Sequence, residues 1–212
     1  MKTKNDRLDE ILSLAPVIPV VQFDDVDDAI KTSRALVAGG LPVIEITLRT
    51  PEALQCIKAV AKHVEGVVVG AGTVLTRQLL HDCIEMGSEF LVSPGVTQEL
   101  LEASAKTDVP LLPGVATPSE AMAMMAEGLG FLKFFPAERA GGSAYLKDMG
   151  AVFPDLRFCP TGGLTAEKAE DYLALENVAC VGGSWVAPKA KIVAGDWDGI
   201  EALAAEAAAL GD

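Results

Sequence analysis

The chain has little of what metal and disulfide sites need. Only two histidines occur in its 212 residues, His63 and His81, and both lie in segments with a helical pattern. Four cysteines are present, none of them in a CxxC pair: Cys56, Cys83, Cys159 and Cys180. This scarcity argues against a His-rich metal site and against a disulfide-stapled scaffold. It predicts reduced thiols and no metal cofactor.

Positive charge and long apolar runs are also scarce. Lys and Arg number 17 against 30 Asp and Glu, which gives a net charge of −13. Such an acidic chain argues against nucleic acid and anionic membranes as partners. No apolar stretch approaches the roughly 20 residues of a membrane-spanning helix, and residues 1–7 are mixed rather than an apolar signal core. We therefore expect a soluble, cytoplasmic protein that meets any anionic substrate with local positive charge and backbone donors.

Hydrophobic residues make up 50% of the chain, and they recur as short β-rich runs that are each followed by a helical pattern. This alternation predicts parallel βαβ units. Eight units in 212 residues favour a single (β/α)8 TIM barrel domain over residues 1–212, with an extra N-terminal helix near residues 6–14. A doubly wound open sheet is the alternative. The predicted strands are Val17–Val21, Val43–Leu48, Val67–Gly72, Glu89–Pro94, Leu111–Gly114, Phe131–Pro136, Arg157–Gly162 and Val178–Ser184. The predicted helices cover about 24–38, 51–63, 76–86, 97–106, 118–128, 142–150, 165–175 and 197–210.

Two helix starts carry capping residues. Thr50-Pro51-Glu52 places a potential N-cap before a proline at the first helical position. Thr117-Pro118-Ser119-Glu120 adds a glutamate at the capping-box position. The two segments predict helices that begin at Pro51 and Pro118.

Lys133 lies in the middle of the apolar run 130–136, between Leu132 and Phe134. Burial favours the neutral form of an amine, and a neutral amine attacks ketones to form a Schiff base. A lysine also occupies such a run when it extends its head to water or pairs with a buried acid. The residue is therefore a candidate nucleophile, with these structural alternatives open.

Polar residues alternate along the second predicted strand. Glu45, Thr47 and Arg49 share one face, and Lys133 and Phe135 share a face of the sixth strand. If both faces point into a barrel, Lys133 and Glu45 look into one interior, and Arg49 lies at the C-terminal mouth, where barrel active sites lie. A purely structural Lys–Glu pair is the alternative. The arginine at the same mouth favours a functional site.

Glycines cluster where three predicted strands end. The third strand ends at Gly72-Thr73, where Thr73 is either a hydroxyl donor to a ligand carboxylate or a turn residue. The last two strands end in Thr161-Gly162-Gly163 and Gly182-Gly183-Ser184. Turns use Gly–Gly pairs freely, but loops after the seventh and eighth strands of a barrel often bind phosphate through backbone N–H groups. Two such pairs on adjacent strands predict a phosphate site.

Five segments of the chain form a recognisable set. They are Glu45-Ile46-Thr47-Leu48-Arg49-Thr50, Gly70-Ala71-Gly72-Thr73-Val74-Leu75, Lys133-Phe134-Phe135-Pro136-Ala137-Glu138, Arg157-Phe158-Cys159-Pro160-Thr161-Gly162-Gly163 and Gly182-Gly183-Ser184-Trp185. Together they resemble the class I 2-keto-3-deoxy-6-phosphogluconate (KDPG) aldolases, of the KDPG/4-hydroxy-2-oxoglutarate aldolase family. The likeness runs from about Ile11 to Gly195, with the motifs in the family order.

The resemblance implies a homotrimeric (β/α)8 barrel that cleaves KDPG to pyruvate and glyceraldehyde 3-phosphate. It implies no cofactor beyond the covalent Schiff base, with Lys133 as the Schiff-base lysine and Glu45 as the proton shuttle. Many family members also cleave 4-hydroxy-2-oxoglutarate. The implied substrate contacts are Arg49 and Thr73 at the pyruvate carboxylate, Thr161 at the keto acid, Gly162, Gly163, Gly183 and Ser184 at the phosphate, and Pro94 and Phe135 along the pocket near the lysine.

Other functions share parts of this pattern. An aldolase for the galactonate epimer of KDPG or for 4-hydroxy-2-oxoglutarate uses the same chemistry, although Ser184 and its glycines favour a phosphorylated substrate. An epimerase or decarboxylase on a phosphate-site barrel needs metal ligands or other acid–base pairs. A non-catalytic phosphosugar-binding barrel gives no reason to place Lys133 opposite Glu45.

Overall fold

The computed structural model describes residues 2–211 of the chain, so Met1 and Asp212, the limits of the predicted domain, lie outside the described residues. Helices and strands alternate along most of the chain. The strands are β1 (Val17–Val21), β2 (Val43–Thr47), β3 (Val68–Gly72), β4 (Phe90–Val92), β5 (Leu111–Leu112), β6 (Gly114–Val115), β7 (Phe131–Phe134), β8 (Arg157–Pro160) and β9 (Val181–Gly183). The helices are α1 (Lys4–Leu12), α2 (Val26–Ala38), α3 (Ala53–His63), α4 (Arg77–Glu85), α5 (Gln98–Ala105), α6 (Pro118–Ala126), α7 (Gly142–Val152), α8 (Ala166–Leu173), α9 (Lys189–Ala194) and α10 (Trp197–Ala208).

The strands pair in parallel and form a curled sheet in two parts. One part has the order β5-β4-β3-β2-β1-β9 and the other the order β6-β7-β8. Pro113 alone separates β5 from β6, and two isolated parallel bridges, Phe158 to Val178 and Thr161 to Gly182, connect the β8 and β9 regions. The predicted parallel α/β fold is confirmed, and the carboxyl ends of its strands meet at one rim.

Burial on both strand faces explains the composition of the sheet. All five residues of β2 are buried, including Ile44, Glu45 and Ile46, as expected for parallel strands covered on both sides. Space inside the sheet is shared between large and small residues. The ring of Phe90 on β4 fills the position that a side chain on Gly70 of β3 would take. The polar residues that remain inside are therefore few and closely confined.

The two predicted helix starts differ in outcome. Pro118 begins α6, and Thr117 and Glu120 form the predicted capping box: Thr117 Oγ1 accepts from the Glu120 N–H, and Glu120 Oε2 accepts from the Thr117 N–H. The prediction for Pro51 was wrong, because α3 begins at Ala53 and has no side-chain cap. Thr50 instead donates its hydroxyl to the carbonyl of Phe23, which ties the loop after β2 to the loop after β1.

Most strands are shorter than predicted. Pro94, Pro136 and Gly162 lie beyond the ends of β4, β7 and β8, whereas β9 keeps its glycines and begins three residues later than predicted. The first helix begins earlier than predicted, at Lys4, since Thr3 and Asp6 form a second capping box. The short helix α9 was not predicted. It follows Pro188 and is capped at its C-terminal end by Gly195, which adopts the left-handed conformation with φ of 66°. Within residues 2–211, no helix is both long and apolar enough to cross a membrane.

Candidate active site

The centre of the candidate site is a buried ion pair between β7 and β2. Lys133 Nζ lies 3.2 Å from Glu45 Oε1 and 3.3 Å from Oε2. Their side chains are 7% and 6% exposed, whereas every other ion pair among residues 2–211 has at least one side chain more than a third exposed. Removing two charges from water is costly. The pair is also close enough for a proton to pass directly between amine and carboxylate.

Neighbouring strands carry small residues at the positions that face this pair. Gly114 on β6 and Cys159 on β8 are the register partners of Lys133. On β3, a side chain at Gly72 would overlap the carboxylate of Glu45. The ring of Phe135 lies above the amine, with its centroid 5.6 Å from Nζ. The amine and the carboxylate are therefore held in a tight, largely apolar enclosure.

A cavity of about 550 Å³ opens at the carboxyl rim of the sheet. Thr47 and Phe135 line it. Thr47 lies two residues after Glu45, and Phe135 lies two residues after Lys133, each on the same strand face. The Lys133–Glu45 pair therefore lies one layer beneath the cavity floor. Six of the predicted substrate-binding residues line this cavity: Arg49, Phe135, Thr161, Gly162, Gly163 and Ser184.

Thr73 contacts Arg49 rather than lining the cavity itself. The Nε–H of Arg49 donates to Thr73 Oγ1 over 3.4 Å. Thr73 has φ of 64° and is the only residue other than glycine with positive φ among residues 2–211. This conformation is strained for a β-branched residue and persists only where surrounding contacts enforce it. The contact orients the guanidinium and leaves its planar η nitrogens to bind a carboxylate.

The loop after β8 presents unpaired backbone donors to the cavity. Gly162 and Gly163 have φ of 109° and 80°, values that favour glycine. Among residues 2–211, the backbone N–H groups of Gly162, Gly163 and Ser184 donate to no protein acceptor. Free N–H groups that converge on one rim form a site for an anion such as phosphate.

A hydrogen-bonded network holds this loop against the end of β7. The backbone N–H of Glu138 donates to the Gly162 carbonyl over 3.2 Å. The Glu138 carboxylate accepts from the Tyr172 hydroxyl over 2.8 Å and pairs with Lys168. The hydrogen bond from Lys168, followed by that from Tyr172, lowers the pKa of Glu138 from its usual value of 4.5. The residue stays ionised at neutral pH, which keeps the network intact.

Besides Thr73, two predicted contact residues, Gly183 and Pro94, do not line the cavity. Gly183 is buried, and a side chain there would overlap the ring of Trp185. Gly182, its neighbour, lines the cavity and packs against Thr161 Oγ1. The Pro94 carbonyl packs against Gly114, and Gly114 is the residue of β6 that pairs in register with Lys133.

Sequence reasoning missed several polar groups at the site. Gln22, at the end of β1, and Lys189, at the start of α9, both line the cavity. A polar residue directly after an apolar strand is a usable signal for Gln22. No local signal identified Lys189, because its segment was not predicted to be a helix and lies beyond the last predicted strand.

A pair of thiols lies beside the ion pair, since Cys159 is the register partner of Lys133. Cys159 and Cys180 are buried free thiols, and the hydrogen bond between them, followed by burial, raises the pKa of Cys180 well above its usual value. Cys180 therefore stays protonated, and both side chains act as small apolar residues. Within residues 2–211, no three His, Cys, Asp or Glu side chains are grouped to hold a metal.

Comparison with known proteins gives one consistent family. The family described as "Aldolase: KDPG and KHG aldolase" matches residues 8–203. The KHG/KDPG aldolase of Escherichia coli strain K12 is 46% identical over 207 residues, which cover 98% of this chain and 97% of that protein. The 2-dehydro-3-deoxy-phosphogluconate aldolase of Zymomonas mobilis is 50% identical over 203 residues and covers 96% of each chain.

Solved structures agree with the sequence matches. The 2-keto-3-deoxy-6-phosphogluconate aldolase of Zymomonas mobilis ZM4, solved with 3-phosphoglycerate, has a TM-score of 0.92 at 49% identity over 96% of this chain and 95% of that one. The KDPG aldolase of Legionella pneumophila, with pyruvate captured as a covalent carbinolamine, has a TM-score of 0.93 at 41% identity over 98% and 99% of the two chains.

Proposed function

Because the chain belongs to the KDPG and KHG aldolase family, we propose that it cleaves KDPG to pyruvate and glyceraldehyde 3-phosphate through a Schiff base on Lys133. The observation that carries this proposal is the buried pair of Lys133 and Glu45, 3.2 Å apart beneath an open cavity. Relatives that match nearly the whole chain carry the same activity in their names. A covalent pyruvate carbinolamine in the Legionella pneumophila relative supports the same chemistry.

The first half of the reaction requires a neutral amine. Glu45 accepts a proton from Nζ, and Lys133 then attacks the C2 ketone of the substrate to form a carbinolamine. Glu45 returns this proton to the carbinolamine hydroxyl, which leaves as water, so Glu45 is again a carboxylate. The resulting iminium has a positive nitrogen that draws electrons from the adjoining carbons. Phe135, over the amine, keeps bulk water away from this cation.

The second half uses Glu45 as base and then as acid. Glu45 takes the proton of the C4 hydroxyl, the C3–C4 bond breaks with its electrons moving to the iminium nitrogen, and the aldehyde leaves. Protonated Glu45 then donates to C3 of the enamine. Addition of water to the resulting iminium releases pyruvate and restores the lysine. One carboxylate serves both steps because it stays within reach of the same few atoms.

Two groups of residues hold the ends of the substrate in this proposal. Arg49, oriented by Thr73, binds the C1 carboxylate, and Thr161 contacts the keto acid near the amine. The terminal phosphate binds at the rim formed by the loops after β8 and β9, through the N–H groups of Gly162 and Gly163 and through Ser184. Gly183 packs against Trp185 and holds its neighbours Gly182 and Ser184 in place at the cavity.

We further propose that residues 1–212 form one closed (β/α)8 barrel, with β5 and β6 as a single interrupted strand and α1 as an additional helix. The two bridges between the β8 and β9 regions support closure. By resemblance, the barrel assembles as a homotrimer in the cytoplasm. Light scattering after size-exclusion chromatography tests the trimer, and a monomer in dilute solution would contradict it.

A second activity, cleavage of 4-hydroxy-2-oxoglutarate to pyruvate and glyoxylate, follows from the same machinery. The Escherichia coli relative is named for both substrates, and Lys133, Glu45 and Arg49 act on the keto-acid end that the two substrates share. An enzyme for the galactonate epimer is less favoured, because the structure named KDPGal is only 27% identical, with a TM-score of 0.80.

Reductive trapping tests the proposal directly. Borohydride added with pyruvate should leave a stable pyruvate-derived mass on the peptide that contains Lys133. Pyruvate release from KDPG, from its galactonate epimer and from 4-hydroxy-2-oxoglutarate should rank KDPG first. A non-catalytic sugar-phosphate-binding barrel would trap no pyruvate and release none.

A further inference from the structure

The cavity is positively charged although the chain as a whole is strongly acidic. Its lining includes two cationic side chains, Arg49 and Lys189, and no Asp or Glu. The whole chain carries a net charge of −13. Two cations without a lining acid attract an anionic ligand locally, against the overall field of the protein.

The two cations lie on different walls. Arg49 follows β2 and Lys189 follows β9, and β1 lies between these strands in the sheet. Lys189 is therefore on the wall that carries Ser184, adjacent to the loop of Gly162 and Gly163. A substrate whose carboxylate lies beside Arg49 extends its opposite end toward Lys189.

Lys189 has a competing acid just outside the cavity. Its Nζ lies 2.8 Å from Asp24 Oδ2, and the side chains are 68% and 59% exposed. Asp24 belongs to the loop between β1 and α2 and does not line the cavity. An exposed ion pair of this kind contributes little to stability, so an anion that enters the cavity can take over the lysine.

We propose that Lys189 is a specificity-determining residue that binds the terminal phosphate of the substrate, and that Asp24 competes with this phosphate for the lysine. The inference rests on the proposed function, because it assigns the phosphate end of the same cavity. A phosphate dianion needs more than one donor, and the free N–H groups at Gly162 and Gly163 supply hydrogen bonds without a full charge. Lys189 supplies that charge.

Kinetics on two substrates test this role. Lys189→Ala should raise KM for KDPG about tenfold, equivalent to about 1.4 kcal/mol, and leave KM for 4-hydroxy-2-oxoglutarate unchanged. Lys189→Arg should restore most of the loss. Asp24→Asn should lower KM for KDPG about twofold, in keeping with an exposed pair. Lys191→Ala is the matched control, because Lys191 is on the same helix, pairs with Asp196 and does not line the cavity.

Calorimetric titration with 3-phosphoglycerate separates this inference from the proposed function. If the wild type cleaves KDPG but Lys189→Ala has the same KM and the same affinity for 3-phosphoglycerate, the role of Lys189 is overturned and the aldolase proposal stands. If the wild type traps no pyruvate, and Lys189→Ala binds 3-phosphoglycerate more weakly than the wild type, the aldolase proposal fails and the phosphate contact stands. Equal losses on both substrates would overturn the specificity role.

Discussion

The carboxylate of Glu45 on β2 occupies the space that a side chain on Gly72 of β3 would need. Glu45 pairs in register with Gly70, and Gly72 lies two residues further along β3 on the same face. This relationship ties the placement of Glu45, the proposed proton shuttle, to a residue that has no reactive side chain.

Gly72→Ala should therefore displace Glu45 and slow turnover. A shift of about 1 Å in a catalytic group costs roughly 10²-fold in rate, and we expect a loss of that order in kcat while borohydride still traps pyruvate on Lys133. Gly95→Ala is the matched control, since a side chain there meets nothing within 4 Å. Wild-type kcat in Gly72→Ala would mean that Glu45 has room to move aside.

Lys133→Ala should abolish both turnover and pyruvate trapping, because Lys133 is the only buried lysine among residues 2–211. Mass spectrometry of the trapped protein is the measurement, with Lys147→Ala, an exposed lysine on α7, as the control. Circular dichroism must show a folded variant, since removing one partner of a buried pair costs about 3–5 kcal/mol. A folded variant that still traps pyruvate would identify a different nucleophile.

Glu45→Gln should separate covalent capture from proton transfer. The amide keeps the shape of the carboxylate but cannot accept a proton from the C4 hydroxyl or from C3, the carbon that becomes the pyruvate methyl group. Exchange of the pyruvate methyl protons with deuterated water, followed by NMR, should slow by about 10²–10⁴-fold, while a trapped adduct still forms. Unchanged exchange would remove Glu45 from the proton shuttle.

Ser184→Ala should raise KM for KDPG more than for 4-hydroxy-2-oxoglutarate. A hydrogen bond to a charged group contributes about 1.5–3 kcal/mol, so the expected increase for the phosphorylated substrate is tenfold or more by this estimate. Steady-state kinetics on both substrates give the comparison. Equal changes would place the hydroxyl away from the phosphate.

The Glu138 network should make part of the stability depend on acidic pH. Because the folded-state pKa of Glu138 is lowered from 4.5, its contribution is fully present above 4.5 and is lost as the pH falls through the lowered value. Glu138→Gln should therefore be less stable than wild type at neutral pH, with a gap that closes as the pH falls below 4.5. Urea unfolding across this range measures it; a constant gap would contradict the assignment.

Sequence pattern predicted much of the fold because strand alternation and helix caps are local. The limits of β1 match the prediction at both ends, and the Thr117–Glu120 capping box starts α6 as expected. The failure at Pro51 has a tertiary cause: the Thr50 hydroxyl is oriented toward the Phe23 carbonyl, and no side chain caps α3. Strands were predicted to run too far at Pro94, Pro136 and Gly162, because the local pattern does not show where pairing with the neighbouring strand ends.

The chain by itself determined which functional groups are available: a lysine among phenylalanines, a glutamate and an arginine on one strand face, and glycines at the ends of the last strands. Only the tertiary structure decided that Lys133 and Glu45, 88 positions apart, lie 3.2 Å from each other. It also decided that Gly182 rather than Gly183 faces the cavity, and that Lys189 enters it. Such distances depend on how strands curl and how loops between them fold back, and periodicity within a single segment carries no information about either.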